Sequence, residues 1–212
     1  MTLSSLFRNT AVAVLIAGTV AAPAHADDDM LLIEVTEVAS IDEVFSPISE
    51  IHTKLGEAQT ELDGIEANVR TALDIAEDAP LETALNDLVA QGGDAISFSM
   101  DGTTPQISTS PEAPENIVTA VTALQTAFSD LQALIAELQT LKDDATAAVS
   151  AAQALDPRSL VGDIRDSGQK VGKTLKRIKN NTQATGQTPD HVSTTIDSTT
   201  SLMSTLTSPF QG

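Results

Sequence analysis

The 212-residue chain sets 30 acidic side chains against 11 basic ones, a net charge of −19, and has five phenylalanines, no tyrosine, no tryptophan and no cysteine. A surface this acidic repels nucleic acid, a chain without cysteine has neither a disulfide framework nor a lipid-bearing cysteine, and so few aromatic rings leave little of the stacking area that sugar-binding modules and many enzymes use. Ala, Leu, Ile and Val supply the apolar content instead, which suits helix–helix seams in one domain or one elongated bundle.

Residues 1–26 read as a secretory signal peptide. Arg8 precedes an apolar run at 11–22, and Ala24-His25-Ala26 offers the small residues of an A-x-A cleavage site ahead of Asp27, Asp28 and Asp29. The run is too short to cross a bilayer, and no later stretch is apolar enough to do so. The expectation is an exported bacterial protein, periplasmic or extracellular. Cleavage removes Arg8 and no acid, which takes the net charge from −19 to −20.

Residues 27–46 form a lead segment. Leu31, Ile33 and Val35 alternate like a strand, while Leu31, Val35 and Val38 fit a helix face; three aspartates ahead of them favour the helix. Ser46-Pro47 reads as the start of a long helix, serine as cap and proline in the first turn. Ile41, Val44, Ile48, Ile51, Leu55, Ala58, Leu62, Ile65, Val69, Ala72 and Ala76 step alternately by three and four, the narrow seam of a helix that faces another helix. This helix is expected to reach about residue 78, with Pro80 as its stop. A shorter helix follows with Leu81, Ala84, Leu85, Leu88 and Val89 on one face, closed by Gly92-Gly93.

Residues 94–113 leave the helical period. Ile96, Phe98 and Met100 alternate with serines, Asp101-Gly102 is a turn dipeptide, and Gln106-Ile107-Ser108 is a return strand weakened by Pro105. A second long helix is expected over 115–155. Its seam is Val121, Leu124, Phe128, Leu131, Ile135 and Leu138, then, after a slip near Lys142, Leu141, Ala145, Ala148, Ala152 and Leu155. Beyond Pro157 a third seam runs through Val161, Ile164, Gly168, Val171, Leu175 and Ile178 as one helix. Residues 180–187 read as a polar loop, and Thr188-Pro189 opens a last helix with Val192, Ile196, Thr199, Met203 and Leu206, frayed from Ser208 onward.

The spans 47–91 and 115–155 have matching lengths of roughly 60–68 Å at 1.5 Å per residue, so they pair as an antiparallel hairpin with 94–113 at the tip. The fold class expected is all-α: an elongated antiparallel helical bundle or coiled coil with a short β-hairpin-like or irregular tip. The segments are a signal peptide at 1–26, the lead at 27–46, the hairpin and basic helix at 47–179, and a Ser/Thr-rich helix and tail at 180–212.

Charge is the most informative local feature. Arg158, Arg165, Lys170, Lys173, Lys176, Arg177 and Lys179 with Asp163 and Asp166 give +5 within 22 positions, whereas residues 27–156 hold 26 acids and three cations. Arg165, Lys170, Lys173, Lys176, Arg177 and Lys179 are candidates for binding an anionic lipid or polymer, against the alternative that they pair with the acidic helices or face water. Ile96, Phe98 and Met100 are candidates for a contact at the tip, or for a cap on it. Gly172-Lys173-Thr174 lacks the strand and first glycine of a phosphate loop. His52 and His191 have no ligand spacing, and no nucleophile–base arrangement stands out. The reading is a non-enzymatic scaffold or binding module without cofactor or metal, partnered by a protein or by its own copies through the heptad seams; the alternative is a membrane- or lipid-active bundle using the basic helix and apolar tip.

Overall fold

The computed structural model of the chain describes residues 33–102 and 104–211; the signal peptide read at 1–26 and the lead segment through residue 32 lie outside the described residues. The class is all-α. Helices α1 (Ala39–Ala72), α2 (Leu81–Gly92), α3 (Glu115–Gln153), α4 (Val161–Asp166) and α5 (Val171–Thr207) are joined by one antiparallel hairpin, β1 (Ile96–Asp101) and β2 (Thr104–Thr109).

Helix α1 starts earlier than Ser46-Pro47 suggests, and residues 33–38 ahead of it are neither helix nor strand. Its first turn is closed by Asp42, whose carboxylate accepts the Thr36 and Glu37 N–H groups at 2.7 and 3.0 Å and the Thr36 hydroxyl at 2.7 Å. Ile41 and Phe45, both buried, draw the helix back past Pro47, which lies inside it on the exposed side. The proline has no N–H to give the Glu43 carbonyl, and burial of the flanking turns offsets that loss. At the far end α1 stops at Ala72, six residues short of the expected point. Asp74 takes a left-handed φ of 55°, and Arg70 folds over the turn, donating to the Ala79 carbonyl at 2.7 Å and the Glu66 carboxylate at 2.8 Å. Ala76 is therefore outside the helix. The seam otherwise holds through Val69, with Phe45 in place of Val44 and Ala72 only partly buried.

Helix α3 packs on both α1 and α5, and α1 also meets α5. Residues 43–54 of α1 lie beside 141–151 of α3, so these two run antiparallel. Leu124, Leu131 and Leu138 of α3 are fully buried, each contributing about 1.5–3 kcal/mol by removal from water. Leu134 is buried where the spacing points to Ile135, because α3 serves two neighbours rather than one seam.

The hairpin exists in the expected place, in the register Phe98↔Ile107. It is attached: Ile107 is buried, its carbonyl accepts from Gln125 Nε2 of α3, and Phe98 stacks on Phe210 with ring centroids 5.6 Å apart. The tail expected to fray thus ends in a packed turn at Ser208–Phe210.

Two further expectations fail between residues 157 and 190. The seam from Val161 to Ile178 is not one helix, because Gly168 breaks it at φ 76° between α4 and α5. Conversely 180–187 is not a loop, since α5 runs unbroken from Val171 to Thr207 with Pro189 inside. Its buried face continues the rhythm with Ile178, Val192 and four polar residues, Thr174, Asn181, Thr185 and Thr188. Thr185 and Thr188 donate to the carbonyls of Asn181 and Ala184, four residues back, at 2.7 and 3.2 Å, so their hydroxyls enter the core without an unmet hydrogen bond.

These two corrections are separable by mutation. Gly168→Ala is expected to lower stability by about 1 kcal/mol through strain at positive φ, and Gly186→Ala, in open space within α5, to raise it by about 0.5–1 kcal/mol. Urea unfolding of the two variants checks both signs; a stabilising Gly168→Ala would restore the single-helix reading.

Candidate functional site

The basic residues form a cationic end around α4 and the start of α5. Arg158, Arg165, Lys170, Lys173, Lys176 and Lys179 are exposed, and among the described residues none of the six has a carboxylate within ion-pair distance. Arg177 differs from its neighbours. Its side chain is mostly covered, with Nε 3.5 Å from Glu34 and Nη1 4.0 Å from Glu37. The candidate set therefore divides into five exposed members and one structural arginine.

Glu34 and Glu37 belong to a strap, residues 33–38, that is fastened across α5. Asn181, fully buried, is its main anchor: its Oδ1 accepts the Glu34 N–H and its Nδ2 donates to the Glu34 carbonyl, both at 2.8 Å. Asn180 donates to the Glu34 carboxylate at 3.2 Å and Gln169 to that of Glu37 at 2.6 Å. Glu37 holds a left-handed φ of 64°, a conformation that costs a non-glycine residue about 1–3 kcal/mol and persists because these contacts fix it. Sequence reasoning misses this strap; a buried asparagine reads as surface until its backbone partners are known.

An apolar groove of about 540 Å³ opens at the same end. The end of α3 and the turn after it line the groove with Ala152, Gln153, Leu155 and Pro157, and α5 lines it with Leu175, Ile178, Lys179, Thr182 and Gln183. A second groove, about 410 Å³, lies between α1 and α3 with Glu43, Glu50 and Asp144 among its lining residues. Both arise where the α3 seam changes from leucine to alanine at Ala145, Ala148 and Ala152, side chains too short to fill the space between helices.

The tip row is divided. Ile96 and Phe98 pack against the core, and only Met100, about half exposed, faces outward.

The two histidines are brought together across α1 and α5. His52 Nε2 lies 3.1 Å from Thr188 Oγ1. The Thr188 hydroxyl also lies 3.2 Å from the Ala184 carbonyl, one turn back on α5. Burial and the neighbouring His191 hold the His52 imidazole below its ordinary value. No group of three or more metal-ligating side chains occurs among the described residues. On α1 and α3, Glu61 is pushed up by burial and by the Glu137 and Asp130 carboxylates.

No protein-family model matches the chain, and no curated protein or solved structure matches it. The reading of function rests on the residues themselves.

Two outcomes follow. His52 binds a proton less readily folded than unfolded, so its contribution to stability is complete above about pH 6.5 and is lost as pH falls from there toward its lowered folded value. Thermal melts on either side of pH 6.5 should show this loss, and His191→Gln should reduce it. Asn181→Ala, which strips the strap of both anchoring bonds, should cost about 1–3 kcal/mol in urea unfolding.

Proposed function

We propose that the chain is an exported, non-enzymatic interaction module of the cell envelope or the extracellular space: an elongated bundle of helices zipped in heptad register, whose cationic end engages an anionic partner. Helices of 34, 39 and 37 residues support the elongated form, since they extend about 51–58 Å at 1.5 Å per residue. The A-x-A site before Asp27 supports export.

The observation that carries the reading is the exposure of six cations that have no carboxylate within ion-pair distance among the described residues, in a chain of net charge −19. Carboxylates are abundant, yet among the described residues they neutralise Arg177 and leave the rest of the cluster facing water. The heptad seams of α1 and α3 are already buried within one chain, so a partner meets the outer faces. Ile96 and Phe98 serve internal packing, which leaves the tip out of this proposal. The partner class is an anionic lipid surface.

Flotation with vesicles containing anionic phospholipid, compared with all-neutral vesicles at low salt, tests this. Binding only to the anionic vesicles is expected, lost with added salt and in a variant carrying Lys170→Gln, Lys173→Gln, Lys176→Gln and Lys179→Gln. Equal behaviour of the variant and the parent, or no binding at low salt, would contradict it.

A further inference from the structure

We propose that the groove between the end of α3 and the first turns of α5 binds one long-chain fatty acid. The hydrocarbon would lie on Ala152, Leu155, Leu175 and Ile178, with the carboxylate at Lys179. The proposal rests on the reading that this end takes anionic partners, and it names a ligand for one part of it.

Three observations converge. The first is shape: about 540 Å³ falls in the range of about 300–1,000 Å³ typical of small-ligand sites. The second is polarity, because Leu155, Pro157, Leu175 and Ile178 give the groove a largely apolar lining while Gln153, Thr182 and Gln183 supply hydrogen-bonding groups. The third is charge. Lys179 lines the groove, Arg158 directly follows its Pro157, and Lys176 directly follows its Leu175. The nearest acid along the chain, Asp156, turns Oδ1 to the Arg158 N–H at 2.9 Å. The groove between α1 and α3 also has a lysine, Lys54, but sets it among Glu43, Glu50 and Asp144, whereas this one has Lys179 and no acid in its lining, and an acyl chain ending in a single anion matches that.

Within the groove, as distinct from the exposed cations around it, the free acid fits better than a lipid that stays in its bilayer. No helix among the described residues is long and apolar enough to cross a membrane. Of the exposed large apolar side chains among the described residues, only Val35, in the strap, lies near this end. A lone valine is a poor anchor, whereas a groove accepts a chain that has left its membrane.

Isothermal titration of the purified protein with oleate, octanoate and oleyl alcohol, each below its aggregation threshold, tests the site. Oleate should bind as one molecule per chain. Octanoate should bind more than about tenfold weaker because it buries fewer methylenes. Oleyl alcohol, or oleate with Lys179→Gln, should bind up to about fivefold weaker, as loss of an exposed ion pair gives. Thr182→Trp fills the groove from a half-exposed position and should abolish oleate binding without lowering the melting temperature; Leu175→Gln is the independent second variant. Absence of saturable oleate binding, or binding unchanged in both variants, would overturn the proposal. Vesicle binding that survives Thr182→Trp separates the two readings: oleate failing while vesicles bind overturns the groove alone, and vesicles failing while oleate binds leaves the groove standing.

Discussion

Helix α3 has to bury apolar surface on two neighbours at once, and the rest of the fold is arranged around that requirement. Its first half meets it with adjacent buried pairs, Ala120 with Val121 and Ala127 with Phe128, which widen the stripe enough to face α1 and α5 together. Its second half narrows to Leu141, Ala145, Ala148 and Ala152. Small side chains there keep the contacts but do not fill the space, so grooves open on both sides of α3 at that end. The hairpin and the Ser208–Phe210 turn close the opposite end, where Phe98 and Phe210 stack.

The same arrangement sorts the charges. With aliphatic seams facing inward, nearly every acid is left on the outside; Glu61 is pushed toward its neutral form first by burial and then by the Glu137 and Asp130 carboxylates. The one concentrated positive region sits on α4 and α5. The strap brings two glutamates to it and engages only Arg177. The other cations, on α4, the start of α5 and the turns beside them, have no carboxylate within ion-pair distance among the described residues, and exposed charges of this kind add little to stability.

Much of this was legible in the chain, for reasons that can be traced to particular residues. The α1 seam from Ile48 to Val69 reads correctly because each position is aliphatic and each faces the core. The hairpin reads from the alternation of Ile96, Phe98 and Met100 and from Asp101-Gly102, confirmed by the paired register. Pro47 imitates a first turn and hides the α1 start, while the true closing group, Asp42, acts on residues before the helix. The α5 core was hidden because its inward positions are Thr and Asn, whose burial depends on hydrogen bonds to a carbonyl one turn back or to a strap far away in sequence. Gly168 fits a seam by spacing and breaks it by its φ. At the candidate site the cations were legible as a cluster, but the exclusion of Arg177, the groove and the meeting of His52 with His191 all depend on contacts between distant segments.

The central claim is that the helical seams are satisfied within a single chain, leaving the charged end as the surface for partners. Circular-dichroism melting across a wide range of protein concentrations tests it most directly. The account predicts a helical protein whose melting temperature does not change with concentration. A melting temperature that climbs with concentration, or helix content that vanishes on dilution, would mean that second copies complete the core and would contradict it.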